Sequence, residues 1–375
     1  MKILIGADLV PTDSNQALFA AGDGETLVGE ALLSCLNSAD MRIFNLEVPL
    51  TDVASPIEKC GPNLIAPTAS VAGYKALGAD ILTLANNHIM DQGEQGFFST
   101  LEALGKSGIE YIGADRNAML AALPGIFPVG DKTIGIYACA EHEFSIAGEN
   151  TPGANPFDPL ESPDHVAALK KQCDYVIVLY HGGKEHYRYP SPGLQKVCRK
   201  LVEKGADLVL CQHSHCIGCE EKYLHGTIVY GQGNFLFDHS KSEFWQTSLL
   251  VQIGDSFEIS YIPLQKKENT VRLAAGEDAD MILAEFYSRS EQLRKPDFVG
   301  QEYARFAQCV QDYYLLHLSG IRVESFFFRV VNKLTGYRWG KWRIKRAYQK
   351  KKRLVLRNFM ECEAHAELLR KGLEE

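Results

Sequence analysis

One short stretch constrains the fold of this chain more than any other: Leu84-Ala85-Asn86-Asn87-His88-Ile89-Met90-Asp91. Ahead of it runs Ala79-Asp80-Ile81-Leu82-Thr83, which is short, rich in branched residues and closed by polar ones, as a buried parallel strand requires. Behind it, residues 92–108 repeat Phe97, Phe98, Leu101 and Leu104 at helical spacing. A strand that feeds a helix through Asn-Asn-His sets those residues in the crevice at the strand's carboxyl end, where open α/β sheets hold their ligands.

The same grammar recurs along the chain. Residues 2–7 read as a strand ending on Asp8, and residues 41–44 as a strand that delivers Asn45, Leu46 and Glu47. Residues 174–180 form the most strand-like run and end on His181-Gly182-Gly183-Lys184-Glu185, while residues 206–211 end on Gln212-His213-Ser214-His215. Helical spacing is expected over residues 25–37, 69–77, 164–172 and 192–204 between them. Residues 108–113, 125–129, 133–139, 246–253 and 256–263 read as further strands, and residues 221–230 as a hairpin through His225-Gly226. Residues 48–67 and 141–163 each carry four prolines and are expected to be loops; the second is long enough to be functional or mobile.

Alternation gives way to helical periodicity near Glu277 and does not return. From Gly320 onward there are 15 Lys and Arg against 6 Asp and Glu, although the whole chain carries −8. Ten basic residues fall within 338–357, with Trp339, Trp342 and Tyr348 among them. The charge asymmetry points to a separate C-terminal element with its own partner. The expected division is therefore residues 1–270 and a helical, basic region over 271–375.

With 375 residues, 46% of them hydrophobic, the chain can bury a large core. No run of 18 apolar residues occurs, and Met1-Lys2-Ile3-Leu4-Ile5-Gly6-Ala7-Asp8 turns polar too soon for a signal peptide, so a cytoplasmic protein, peripheral to a membrane at most, is expected. The ten scattered cysteines then read as reduced core thiols, and Cys216-Ile217-Gly218-Cys219 has no second pair at zinc-ribbon spacing.

Gathered at one sheet edge, the strand ends offer Asp8, Asn45, Glu47, Asn86, Asn87, His88, Asp91, His181, Glu185, His213 and His215. Singly these are weak signals: a lone histidine after a strand is ordinarily structural, and Asp8 alone can cap a turn. Together they form a nitrogen and oxygen donor set with no thiolate, suited to divalent manganese, zinc or iron. One or two ions are expected; a shared carboxylate holds a pair about 3.5–4 Å apart, where they activate a water and clamp a phosphoryl or acyl centre.

Asn45-Leu46-Glu47-Val48-Pro49-Leu50-Thr51, Ala85-Asn86-Asn87-His88 with Asp91-Gln92-Gly93, His181-Gly182-Gly183 with Glu185, Gln212-His213-Ser214-His215 and Tyr230-Gly231-Gln232-Gly233-Asn234-Phe235 closely resemble the CapA family. Those are poly-γ-glutamate capsule biosynthesis proteins, placed in the calcineurin-like metallophosphoesterase superfamily. The resemblance covers roughly residues 1–265 and implies an α/β fold, a four-layer α/β/β/α sandwich with metals at the sheet edges and an α-helical C-terminal extension. It implies metal ligands Asp8, Glu47 (the bridging carboxylate), Asn87, His181, His213 and His215. It makes His88 the general acid, with Asp91 and Glu185 in the catalytic group; Glu185 adds a ligand or orients a histidine. Three departures stand out. The superfamily's first motif has a histidine two residues after its aspartate, where this chain has Val10. Its second motif is usually an aspartate, here replaced by Asn45-Leu46-Glu47. CapA proteins open with Gly-Asp, where this chain inserts Ala7.

The activity so implied is metal-dependent hydrolysis of a phosphoester in capsule, polysaccharide or envelope polymer synthesis. Hydrolysis of a γ-glutamyl or peptidoglycan-type amide, and non-catalytic handling of poly-γ-glutamate, are the alternatives. Partners are expected to be an anionic polymer or a phosphorylated substrate, with membrane-surface contact through 338–357; no nucleic-acid motif accompanies the charge.

Overall fold

The computed structural model describes residues 1–320, 322–323 and 325–373. They divide into two units, Met1–Val299 and Gly300–Glu375.

Two sheets form the first unit. One runs in the order Thr270–Leu273, Ile259–Lys267, Thr247–Ile253, Ile3–Val10, Met41–Asn45, Ile81–Thr83, Glu110–Ile112. Its last four strands are parallel, and the first three join antiparallel. The other runs Glu220–Tyr223, Gly226–Tyr230, Leu208–Gln212, Tyr175–His181, Lys132–Ala140, Gly125–Val129, with its four central strands parallel.

The central strands read as unbroken apolar runs because both of their faces are covered. Ile134, Ile136, Ala138, Ile177, Leu179, Leu208 and Leu210 join a core shared with Ile3, Ile5, Ile43, Leu249 and Val251 of the first sheet. Their neighbours Tyr137, Cys139, Val176, Val178, Val209 and Cys211 alternate outward onto Val166, Leu169, Leu194, Cys198 and Leu201. Those outer residues belong to helices Ser162–Lys170 and Pro192–Glu203. Helices Glu30–Asn37, Val71–Ala76 and Gly93–Ser107 cover the first sheet with Leu32, Leu36, Tyr74, Phe97 and Leu104. The result is the expected four-layer α/β/β/α sandwich, in which parallel strands of both sheets bring their carboxyl ends to one edge.

Two local features depart from the expected elements. The single helix expected over 25–37 is broken into Gly24–Val28 and Glu30–Asn37. Gly29 stands between them at φ +77, and a Cβ there would meet Arg272 Cδ at 2.7 Å. The Arg272 guanidinium donates to the carbonyls of Thr26 and Leu27, so a residue more than 240 positions away ends the first helix. In the first strand, Ile5 pairs with Ile43 and Asp8 with Asn45. Three steps on one strand oppose two on the other: a β-bulge that takes up one extra residue between Ile5 and Asp8, as accommodation of the Ala7 that the resemblance implies to be inserted requires.

Helix Gly276–Leu293 lies on the first unit through Phe286 against Tyr261 and through the Arg289 Nε bond to the Gly218 carbonyl (2.8 Å). The second unit carries helices Phe326–Leu334, Arg338–Ala347, Lys350–Glu361 and Glu363–Gly372. Among the described residues no helix is long and apolar enough to cross a membrane.

Candidate metal centre

Asp8, Glu47 and His215 place one ligand atom each within 4.8 Å of one another, and so do Glu47, His181 and His213. Glu47 belongs to both groups. Asn87 joins the second, its Oδ1 lying 3.0 Å from His181 Nε2. That ring nitrogen is also 3.2 Å from Glu47 Oε1 and 3.2 Å from His213 Nδ1. All six expected ligands therefore converge, from five strand ends in both sheets.

The burial of this set tests whether it suits a cation. Glu47 is fully buried and Asp8 is 1% exposed. Both Glu47 carboxylate oxygens and Asp8 Oδ2 are buried and make no well-formed hydrogen bond; what faces them are histidine rings, His181 Nε2 at 3.2 Å from Glu47 Oε1 and His215 Nδ1 at 3.5 Å from Asp8 Oδ2. A buried carboxylate left without a donor costs several kcal/mol, so buried charges pair with cations or coordinate metals. The donors are carboxylate, amide and imidazole, the set that divalent manganese, zinc or iron accepts. The residues fit the ion.

Electrostatics agree. Burial works against protonation of His215, yet Asp8 and Glu47 beside it raise its pKa to about 9. Burial opposes protonation of His181 too and is outweighed by Glu47 and Asp8. His213 goes the other way: burial and the neighbouring His181 and His215 hold it well below the usual histidine value. Burial alone would raise the Asp8 pKa, but the bond to His215 and the nearby His181 bring it below the ordinary carboxylate value.

Surrounding contacts fix the ligands. Asn45 Nδ2 donates to Asp8 Oδ1 (2.7 Å), while Asn45 Oδ1 accepts from Asn86 Nδ2 (3.1 Å) and Thr83 Oγ1 (3.2 Å). His215 Nδ1 lies 2.8 Å from Asn234 Oδ1, and the ring stacks on Trp245 at 4.4 Å. His213 and His215 have φ of +83 and +51. Such backbone costs about 1–3 kcal/mol at each residue and collects at functional sites. Gly231 leaves room for the turn between them: a Cβ there would meet Ser214 Oγ at 2.5 Å.

His88 stands beside the four-ligand group. Its Nδ1 is 2.6 Å from Asp91 Oδ2, which also accepts from the Leu64 backbone N–H at 2.6 Å. Asp91 is fully buried and reaches the site through His88. Lys59 closes the cluster on Asp91 Oδ1 and has a side chain only 3% exposed. Glu185 lies in neither ligand group.

Four residues beyond the expected ligands shape the site. Lys59 and Glu143 come from the two proline-bearing loops, where no periodicity marks them. Glu143 Oε2 accepts from Asn87 Nδ2 (3.2 Å), and its Oε1 is 3.9 Å from His213 Nε2. Asn234 and Trp245 follow the Gly-Gln-Gly turn; the Tyr230–Phe235 motif hints at Asn234, and no signal marks Trp245. Val10, where the superfamily has histidine, is buried core and pairs with Phe237. Cys216 and Cys219 are buried, burial pushes the Cys216 thiol up to about 11, and neither joins a ligand group.

A model of the bacterial capsule synthesis protein PGA_cap family matches residues 3–239. The chain belongs to that family. It is 30% identical over 213 residues to the capsule biosynthesis protein CapA of Bacillus anthracis, across 54% of this chain and 52% of that protein. To the PGA biosynthesis protein CapA of Bacillus subtilis it is 32% identical over 173 residues, across 45% of each. The chain thus spans about half the length of these PGA_cap relatives. Among solved structures, a hypothetical protein from Thermus thermophilus aligns at TM-score 0.47 and 15% identity, over 71% of this chain and all of that one. A phosphatase from Mycoplasma pneumoniae aligns at 0.44 and 13%, over 72% of this chain and 94% of the other.

Proposed function

We propose that this PGA_cap protein is a metal-dependent hydrolase that cleaves a phosphoester in the synthesis of a capsule or other envelope polymer. The observation that carries this reading is Glu47: a fully buried carboxylate, shared by two ligand groups, with both oxygens left for a cation. Asp8, Glu47 and His215 would hold one divalent ion, and Glu47, Asn87, His181 and His213 the other. Bound there, the ions supply Lewis acidity at a phosphoryl oxygen and an activated water.

The chain's own groups do the rest. Asp91 fixes the His88 ring through Nδ1, which leaves the opposite ring nitrogen to hold the proton that a departing oxygen takes. Asn45 orients Asp8, and Asn234 and Trp245 orient His215, so the ligand geometry is set before substrate arrives. Glu143 sets a half-exposed carboxylate beside Asn87 and His213, where it would oppose an incoming anion. That carboxylate favours a second reading, in which the scissile bond is a γ-glutamyl or peptidoglycan-type amide with no charge at its carbonyl.

Metal analysis of the purified protein, followed by a screen of phosphomonoester, phosphodiester and γ-glutamyl substrates with added manganese or zinc, separates these readings. His88→Ala is expected to lower turnover about 10²–10⁴-fold with metal content unchanged. Turnover of the γ-glutamyl substrate alone would select the amide reading. Binding of poly-glutamate without turnover of anything would make the protein a non-catalytic polymer handler.

A further inference from the structure

The loop over residues 141–163 is stitched down where it passes the metal centre. The Ser145 carbonyl accepts from the Ala154 N–H at 2.7 Å, and the Ala147 N–H donates to the Ala154 carbonyl at 2.9 Å. Gly153–Ala154 in turn pairs with Ala114–Asp115, and the Asn155 N–H donates to the Gly113 carbonyl at 2.8 Å. Residues 143–145 are held in this way beside the turn after strand Ile81–Thr83, which carries Asn87 and His88.

Two contacts join the loop to that turn. Ser145 is fully buried, and its hydroxyl donates to the Asn87 carbonyl at 2.8 Å and accepts from the Met90 N–H at 3.2 Å. One side chain closes the backbone across residues 87–90. Glu143 takes the side chain of Asn87 instead. Its Oε2 accepts from Nδ2 at 3.2 Å, while Oδ1 of the same amide lies 3.0 Å from His181 Nε2. The nitrogen end faces the loop, and the oxygen end faces the ligand group.

That choice of ends decides whether Asn87 can ligate. The oxygen has lone pairs for a cation; the NH2 group is a donor and has none to give. The two ends are nearly alike in size, so packing does not choose between them. A carboxylate only accepts, so only the NH2 end can face Glu143. Asn87 Nδ2 has no other acceptor among the described residues. His181 does not make the choice once an ion is bound, because a ring nitrogen that ligates carries no proton to offer the amide oxygen.

We propose that Glu143 is a positioning residue for the four-ligand half: it holds Asn87 Nδ2 and so turns Oδ1 to the ion, with Ser145 fixing the turn on which Asn87 stands. This role depends on the metal centre of the proposed function. The loop is then part of that centre, and outer contacts of this kind are worth about 10–100-fold in metal affinity. The Glu143 charge would also draw a cation, since its Oε1 lies 3.9 Å from His213 Nε2. Orientation and charge predict different outcomes in variants.

Calorimetric titration of the full chain with manganese separates them. Glu143→Ala is expected to weaken the tighter site about 10–100-fold and to leave the weaker site near its wild-type value. Glu143→Gln keeps an acceptor oxygen for Asn87 Nδ2 and loses the charge, so it should restore most of the affinity. Glu143 is half-exposed, and an unchanged melting curve would show that both variants fold. In an Asn87→Asp background both ends of the side chain are oxygens, so Glu143→Ala should no longer weaken binding. Equal losses from the alanine and glutamine changes would overturn the proposal and leave Glu143 a source of charge alone. So would a loss in the aspartate background as large as in the wild type. Wild-type protein that took up no ion would sink the metal centre and this role with it; uptake that Glu143→Ala left unaltered would sink the role alone.

Discussion

The two ligand groups share Glu47 and differ in almost everything else. Asp8, Glu47 and His215 make a three-ligand half, braced by Asn45, Asn234 and Trp245. Glu47, Asn87, His181 and His213 make a four-ligand half, with His88, Asp91, Lys59 and Glu143 around it. The smaller half has no donor from position 10, where the resemblance implies a histidine. Val10 follows Asp8 by two on the same strand, where side chains share a face, and it serves the hydrophobic core. The braced half thus has the fewer donors, and the fuller half carries the acid-base apparatus. On the proposed function, a second ion would be held less tightly than the first, and the four-ligand half is expected to fill first.

The largest effect should come from the residue that both halves share. Glu47→Gln keeps the shape, removes the bridging charge and is expected to abolish binding of both ions, read as metal per chain by elemental analysis. In the chelated protein the same change should remove the charge that faces His181 and His215, so at pH below about 9 the melting temperature is expected to fall. Retention of one tightly held ion would show that the halves are independent.

Next in size is a paired comparison. Asp8→Asn is expected to leave one ion per chain, and His213→Ala to weaken the tighter site about 10–100-fold, a loss of the size seen even for groups that only support ligands. Calorimetric titration with manganese or zinc gives both values. Equal losses from the two variants would erase the asymmetry.

Lys59→Ala tests the apparatus beside the fuller half. It strips the buried Asp91 of its cation, and breaking such a pair costs about 3–5 kcal/mol. Chemical denaturation should show that loss while metal stoichiometry stays at the wild-type value. A change in stoichiometry would make Lys59 part of the metal site itself.

The smallest effect is a pH trend. His215 and His181 both have folded-state values above the ordinary 6.5 or so, His215 at about 9. Their contribution to stability is complete below the unfolded value and lost as pH rises through the folded one. Chelated protein should therefore melt at falling temperature between about pH 6.5 and 9. Metal-loaded protein should not follow that trend, because ligation requires the neutral rings.

The candidate donors are legible because each sits where a buried strand stops, and strand ends are written locally in branched apolar runs followed by polar residues. Asp8, Glu47, Asn87, His181, His213 and His215 are legible in that way among eleven strand-end residues; their choice as metal ligands is what the CapA resemblance implies. The sandwich was legible for the same reason, with helical spacing between the strands. What stayed hidden depends on distant partners. Nothing near Gly29 announces that Arg272 will take the carbonyls behind it. Lys59 and Glu143 lie in loops whose course is set by what they touch and not by any repeat. Trp245 reads as one more apolar residue before a strand until the His215 ring is found against it.

The extra residue at Ala7 has a practical consequence for anyone searching genomes. Because the swelling in the opening strand takes up the added length, the carboxylate of Asp8 still reaches His215 and Asn45. A pattern with a rigid gap between glycine and aspartate would discard this chain. Search rules for such centres should count positions from the strand's exit and let the spacing before it vary.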